Sequence, residues 1–97
     1  IIKEGSIIMH KAFVNAFSRI AENCIINSNS VIEHESIIEK NCHISTGVII
    51  NGGCKVKEGT FIGSGSVLGE GVTIGKNSII SAQSKILKNL PNNSIIK

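Results

Sequence analysis

The chain has 97 residues, enough for one small domain, and its 41% hydrophobic content includes only three aromatic side chains, all Phe. The apolar residues are mostly Ile, 20 of them against three Leu, which disfavours packed helices and favours β structure, where branched side chains fit well. The net charge of +3 suits a small anionic ligand, but without stacking aromatics it excludes a nucleic-acid surface, and no apolar run approaches the ~20 residues that span a membrane.

From Ile2 onward every sixth residue is aliphatic, through Ile8, Val14, Ile20 and on to Ile80 and Ile86, fifteen positions without an exception. Within each block of six, the fourth position is Gly or Asn in 11 of 15 cases, from Gly5 and Asn23 to Asn77 and Asn89. Those two residue types tolerate positive φ, so each block reads as a short strand followed by a tight corner. The fifth position is small or narrow, as at Ser6, Ser18, Ser30, Thr60 and Ser78, and is expected to point inward. This is the hexapeptide period of a parallel β-helix, with three blocks to a triangular coil of about 18 residues, and 15 blocks give about five coils. No insertion interrupts the register between Ile2 and Ile86. Pro91, Asn92 and Asn93 end the pattern, so a β-helix is expected over 1–91 with a C-terminal tail over 92–97.

Cys24, Cys42 and Cys54 all occupy the small inner position and read as core thiols without a catalytic role. Their odd number and the lack of a CxxC spacing point to a reducing, cytoplasmic setting. Cys24 and Cys42 lie one coil apart, a placement that allows contact without requiring a disulfide.

Side chains just before each inner aliphatic residue point outward, one column per face. Ile7, Ile25, His43, Phe61 and Ile79 form one column, and Phe13, Val31, Ile49, Val67 and Lys85 form the next. Both are apolar. The third, Arg19, Ile37, Lys55 and Thr73, is mostly polar and is expected to face water. Two adjacent apolar faces, meeting at a corner of small residues that includes Ser28, Thr46, Ser64 and Ala82, are what a closed three-fold assembly buries, so a homotrimer is expected.

His10 reads as a surface residue in a corner of the first coil. His43 is the polar exception in an apolar column, which marks it for function. His34 stands in a corner between Glu33 and Glu35. In a trimer with face against face, His34 of one subunit and His43 of the next line one groove. Gly52 follows His34 by one full coil of three blocks, which stacks it above the histidine in the same corner, and its backbone N–H is accessible to a ligand as an oxyanion donor.

The stretch from Asn27 to Pro91, with Ile32-Glu33-His34-Glu35 and Cys42-His43-Ile44-Ser45 at its centre, resembles the coil domain of bacterial sugar acetyltransferases. Within them it is most similar to the group of sialic acid O-acetyltransferases and N-acetyltransferases of UDP-4-amino-sugars, such as the bacillosamine pathway enzyme. The segment before Asn27 shares the resemblance more loosely. It implies a left-handed coil and an acetyl-CoA-dependent transfer to an amine or hydroxyl of a sugar or nucleotide sugar, in bacterial polysaccharide or glycan biosynthesis. By the same resemblance His34 is the general base, Glu35 polarises it, the Gly52 amide holds the oxyanion and His43 contacts acetyl-CoA. Ser64 and Ala82 match positions whose backbone meets the cofactor's pantetheine, and Lys85, with Lys76 and Lys88, lies where the nucleotide end of CoA would run. No metal is implied. Family members usually carry an N-terminal sugar-nucleotide-binding domain as well, and nothing in the 97 residues corresponds to it.

Three other readings compete. A metal-dependent carbonic anhydrase uses the same coil, but the three His here are separated by 24 and 9 residues and lack the close pair that such a site needs. A structural or ice-binding β-helix would show regular outward Thr ladders, where this chain has only Thr46, Thr60 and Thr73. An acyltransferase of another substrate class would share fold and donor, but fits the Glu-His-Glu corner less well.

Overall fold

A computed structural model describes residues 1–97. Fifteen strands of two residues each follow one another without a helix. They stack as three parallel sheets that form the faces of a prism about 28 Å long, a left-handed parallel β-helix of about five coils. The first face carries Ile7–Ile8, Ile25–Ile26, His43–Ile44, Phe61–Ile62, Ile79–Ile80 and Ile95–Ile96. The second carries Phe13–Val14, Val31–Ile32, Ile49–Ile50, Val67–Leu68 and Lys85–Ile86. Arg19–Ile20, Ile37–Ile38, Lys55–Val56 and Thr73–Ile74 make the third.

Each strand turns one side chain out and one in, because successive residues of a strand point to opposite faces. The inward members are the hexapeptide aliphatics, and all eleven from Ile20 to Ile80 are fully buried. Each contributes on the order of 1.5–3 kcal/mol of hydrophobic stabilisation. Register is constant at one coil of three blocks, as in Ile25↔His43 and Val31↔Ile49.

The corners follow from the fourth position of each block. Every such residue from Gly5 to Gln83 has positive φ, and from Asn23 onward its N–H donates to a carbonyl of the coil below, as Gly53 does to His34 at 3.1 Å and Gly65 to Thr46 at 2.9 Å. The fifth position completes the corner from inside. Ser18, Ser30, Ser36 and Thr60 are buried, yet each hydroxyl donates to a carbonyl of the next coil, such as Ser36 to Asn51 at 2.9 Å. Cys24, Cys42 and Cys54 do the same with their thiols, at 3.0 to 3.1 Å. A Cys there is a Ser equivalent. All three are free and buried. The neighbouring Cys24, and burial after it, hold the Cys42 thiol far above its ordinary pKa, and burial raises Cys54.

The tail expected over 92–97 is a correction. Ile95–Ile96 pairs in parallel with Ile79–Ile80, and Leu90 bridges to Ile74. In both pairs the separation falls two short of a full coil. The missing pair comes from the corner between Ile86 and Leu90, where no residue has positive φ and the Asn89 Oδ1 accepts the Thr73 N–H at 2.8 Å. That corner breaks the hexapeptide phase without breaking the sheet, and the six-residue spacing resumes from Leu90 to Ile96.

Candidate active site

Glu33, His34 and Glu35 form the corner between the second and third faces, in the coil that runs from Ile25 to Cys42. Glu33 accepts from the Asn15 side-chain amide at 3.0 Å, which anchors the corner to the coil below. His34 projects outward and upward, so that its imidazole lies over Gly52. A Cβ added at Gly52 would stand 2.9 Å from His34 Cε1 and 3.3 Å from each ring nitrogen. Only glycine leaves the ring this position.

Gly52 is buried and accepts the Gly71 N–H at 3.0 Å through its carbonyl, while its own N–H finds no acceptor in the chain. The corner therefore joins a ring nitrogen that can take a proton to an unengaged amide that can donate to a developing negative charge. Glu35 brings Oε1 to 3.6 Å from His34 Nδ1. That is longer than a hydrogen bond, and both side chains are more than half exposed, so the contact is a water-screened approach. Glu35 also holds φ at +61°, a conformation that disfavours an L side chain.

His43 lies elsewhere. It stands on the first face, half-buried, its ring edge-on to Phe61 with centroids 5.2 Å apart. Its Nε2 is buried without a hydrogen-bond partner, an uncompensated polar atom. Within one chain the whole second face separates His43 from His34, so a single copy does not bring the two together. Ser64 and Ala82 are exposed in the corner between the first and second faces, where Ser64 Oγ lies 2.8 Å from Ser45 Oγ. Lys85 is exposed at the upper end of the second face, paired in register with Val67. His10 is exposed in the first coil.

Sequence reasoning missed a hollow of about 320 Å³ on the third face, lined by Arg19, Ile37, Glu39, Lys40 and Glu58 among others. The one available signal was Ile37, apolar in a column otherwise made of Arg19, Lys55 and Thr73. The hollow lies across the third face from the His34 corner and holds none of the predicted site residues.

The bacterial transferase hexapeptide pattern (six repeats) matches residues 17–52, 35–70 and 53–88. No curated protein matches the chain. Among solved structures, the chain is similar to the acetyltransferase domain of PglB from Neisseria gonorrhoeae FA1090, at 28% identity over 93% of this chain, with a TM-score of 0.91. The same domain in complex with acetyl coenzyme A gives 30% identity over 94% and a TM-score of 0.93. PerB from Caulobacter crescentus, in complex with CoA and GDP-perosamine, shares the fold at 24% identity over 97%, with a TM-score of 0.88. This chain spans about half the length of those structures, 44% of the PglB domain and 53% of PerB.

Proposed function

The chain belongs to the bacterial transferase hexapeptide family, and from that premise we propose that it transfers an acetyl group from acetyl-CoA to an amine or hydroxyl of a sugar or nucleotide sugar. The observation that carries this reading is the pairing of His34 with the unengaged Gly52 N–H in one corner. The similarity to a PglB acetyltransferase domain solved with acetyl coenzyme A supports the donor.

In this reading the acceptor nitrogen or oxygen attacks the thioester carbonyl carbon while an imidazole nitrogen of His34 takes the acceptor's proton. Near neutral pH an imidazole is the side chain best matched to that task. The carbonyl oxygen gains negative charge, and the Gly52 N–H stabilises it. Collapse breaks the carbon–sulfur bond, and the imidazolium returns its proton to the departing CoA thiolate. Glu35 favours one ring tautomer and the imidazolium by its charge.

A homotrimer completes the site. Ile7, Phe13, Ile49, Phe61 and Ile79 are exposed on the first and second faces, an apolar surface that a lone prism leaves in water. Packing those faces together brings His34 of one copy to His43 of the next, where the partnerless Nε2 can meet the donor. Ser64 and Ala82 offer backbone along the cofactor's path, and Lys85, Lys76 and Lys88 offer cations to its phosphates.

Thiol release from acetyl-CoA, measured against a panel of amino-sugar nucleotides and sialic acid, tests the function. Release with none of them overturns it. Sedimentation tests the assembly: Ile25→Asp places an unpaired charge in the packed face, dissociates the trimer and abolishes acetyl-CoA binding, whereas a binding-competent monomer overturns the shared site.

A further inference from the structure

Three asparagines occupy the same place in their blocks, immediately after the inner aliphatic residue: Asn15, Asn27 and Asn51. Two of them cap the amide that follows. Asn15 Oδ1 accepts the Ala16 N–H at 2.6 Å, and Asn27 Oδ1 accepts the Ser28 N–H at 2.7 Å. This local bond is the habitual one for the residue type.

Asn51 behaves differently. Its Nδ2 donates to the Leu68 carbonyl of the next coil at 2.8 Å. Asn15 also reaches its next coil, from Nδ2 to the Glu33 carboxylate at 3.0 Å, and still caps. Asn51 instead donates to a main-chain carbonyl that takes its own N–H as well, at 3.3 Å, which draws its amide against the strand and leaves Oδ1 off the neighbouring N–H, that of Gly52, which has no acceptor. Ala16, two coils below Gly52 in the same corner column, has its amide consumed; Gly52 does not.

We propose that Asn51 is a positioning residue for the acetyl-transfer site, holding its side chain on the next coil so that the Gly52 N–H stays free for the oxyanion. The inference rests on the acetyltransferase reading above, but its structural half stands apart from it. An Asp at 51 has no donor for the Leu68 carbonyl, and two oxygens facing each other repel. Its carboxylate turns to the conformer seen at Asn15 and Asn27 and captures the Gly52 N–H with a charge-assisted bond. An Ala at 51 loses the tether but cannot cap.

Asn51→Asp and Asn51→Ala in the full chain separate the two effects. We expect Asn51→Asp to lower kcat by about 10²-fold, the loss of one oxyanion donor, with the KM for acetyl-CoA within twofold. Asn51→Ala should lower kcat by only about threefold. A merely structural Asn51 predicts the reverse order, and that order overturns the proposal. Amide hydrogen exchange at Gly52, followed by NMR without any substrate, reads the geometry directly. Exchange is fast in the parent and in Asn51→Ala and about tenfold slower in Asn51→Asp. Equal exchange in all three overturns the proposal even if the chain is active, whereas the expected exchange pattern in a chain that acetylates no sugar sinks the acetyltransferase reading and leaves the capping geometry standing. If Asn51→Asp does not fold, Asn51→Leu, which keeps the shape and cannot cap, must match Asn51→Ala in exchange for the proposal to survive.

Discussion

Two successive corners of one coil, Glu33 to Glu35 and Glu39 to Asn41, are built on the same backbone and use it differently. In the second, polar groups are matched to one another. Glu39 accepts the Glu58 N–H at 3.0 Å from the coil above and lies 3.7 Å from Lys55 Nζ, and the positive-φ position is Asn41, a residue that suits it. In the first, the positive-φ position is Glu35, which does not suit it, and Gly52, which stands to His34 as Glu58 stands to Lys40, keeps its N–H open. One corner draws the amide of the coil above into the scaffold. The other leaves a proton acceptor and a proton donor unengaged, side by side, and tolerates a residue that strains its turn.

Parallel substitutions in the two corners can break that contrast. His34→Ala should lower kcat by about 10²–10⁴ with little change in the KM for acetyl-CoA, and Lys40→Ala should leave both near their parent values. Comparable losses at the two positions, in steady-state assays on the true acceptor, would make the corner histidine a surface residue. Gly52→Ala comes next. Its Cβ forces the His34 ring to move, so kcat should fall by about tenfold or more while thermal stability changes little, because the ring is exposed and free to shift. Unaltered turnover in Gly52→Ala would show that the ring's place over Gly52 is irrelevant.

Exchanging the positive-φ residues sharpens the comparison. Glu35→Asn relieves the turn and should stabilise the chain by up to ~1 kcal/mol while lowering kcat; Asn41→Glu should destabilise it by a similar amount with kcat unchanged. Denaturant titrations beside kinetics decide the matter, and stability changes of the same sign in both variants contradict the account. The smallest effect concerns the inner positions, which serve both corners alike. Burial raises the Cys54 thiol pKa above the ordinary value of 9.0, so the folded chain keeps a proton that the unfolded chain gives up. Its contribution to stability is then undiminished below about pH 9 and falls as the pH rises beyond it, by at most ~1.4 kcal/mol per unit for one proton. Cys54→Ser should make this alkaline slope shallower by one proton, leaving the part that Cys42 supplies, read as melting temperature against pH, without touching kcat.

The period of the aliphatic residues made most of the fold legible, because a two-residue strand with one inward side chain leaves no freedom in what repeats in every block. The three faces, the constant register and the inner thiols all follow from it. Ile95 and Ile96 escaped, since a shortened corner preserves the sheet while destroying the count. In the site, stacking His34 beneath Gly52 was arithmetic, because three blocks make one coil. The orientation of Asn51 was not. Its bond to the Leu68 carbonyl and the bonds of Asn15 and Asn27 to their own following amides arise from one residue type in one block position, and only the neighbours in space separate them. The hollow beside Ile37 was hidden for a similar reason, being shaped by Glu39, Lys40 and Glu58 from a corner that a single face column does not contain.

The shortened turn between Ile86 and Leu90 carries a lesson about tolerance to length. Both sheets flanking it keep their pairing although the chain between them is shorter, with Leu90 still opposite Ile74 and Ile95 still opposite Ile79. The coil is thus held by its faces, and this corner acts as a joint whose chain length is free to vary. Where a joint can lose residues it can gain them, and a flexible loop grafted between Lys88 and Asn89 should cost little beyond ring closure, about 0.6 kcal/mol for each doubling of its length. A prism built this way can acquire a new lid or recognition arm at a corner without redesigning the faces that carry it.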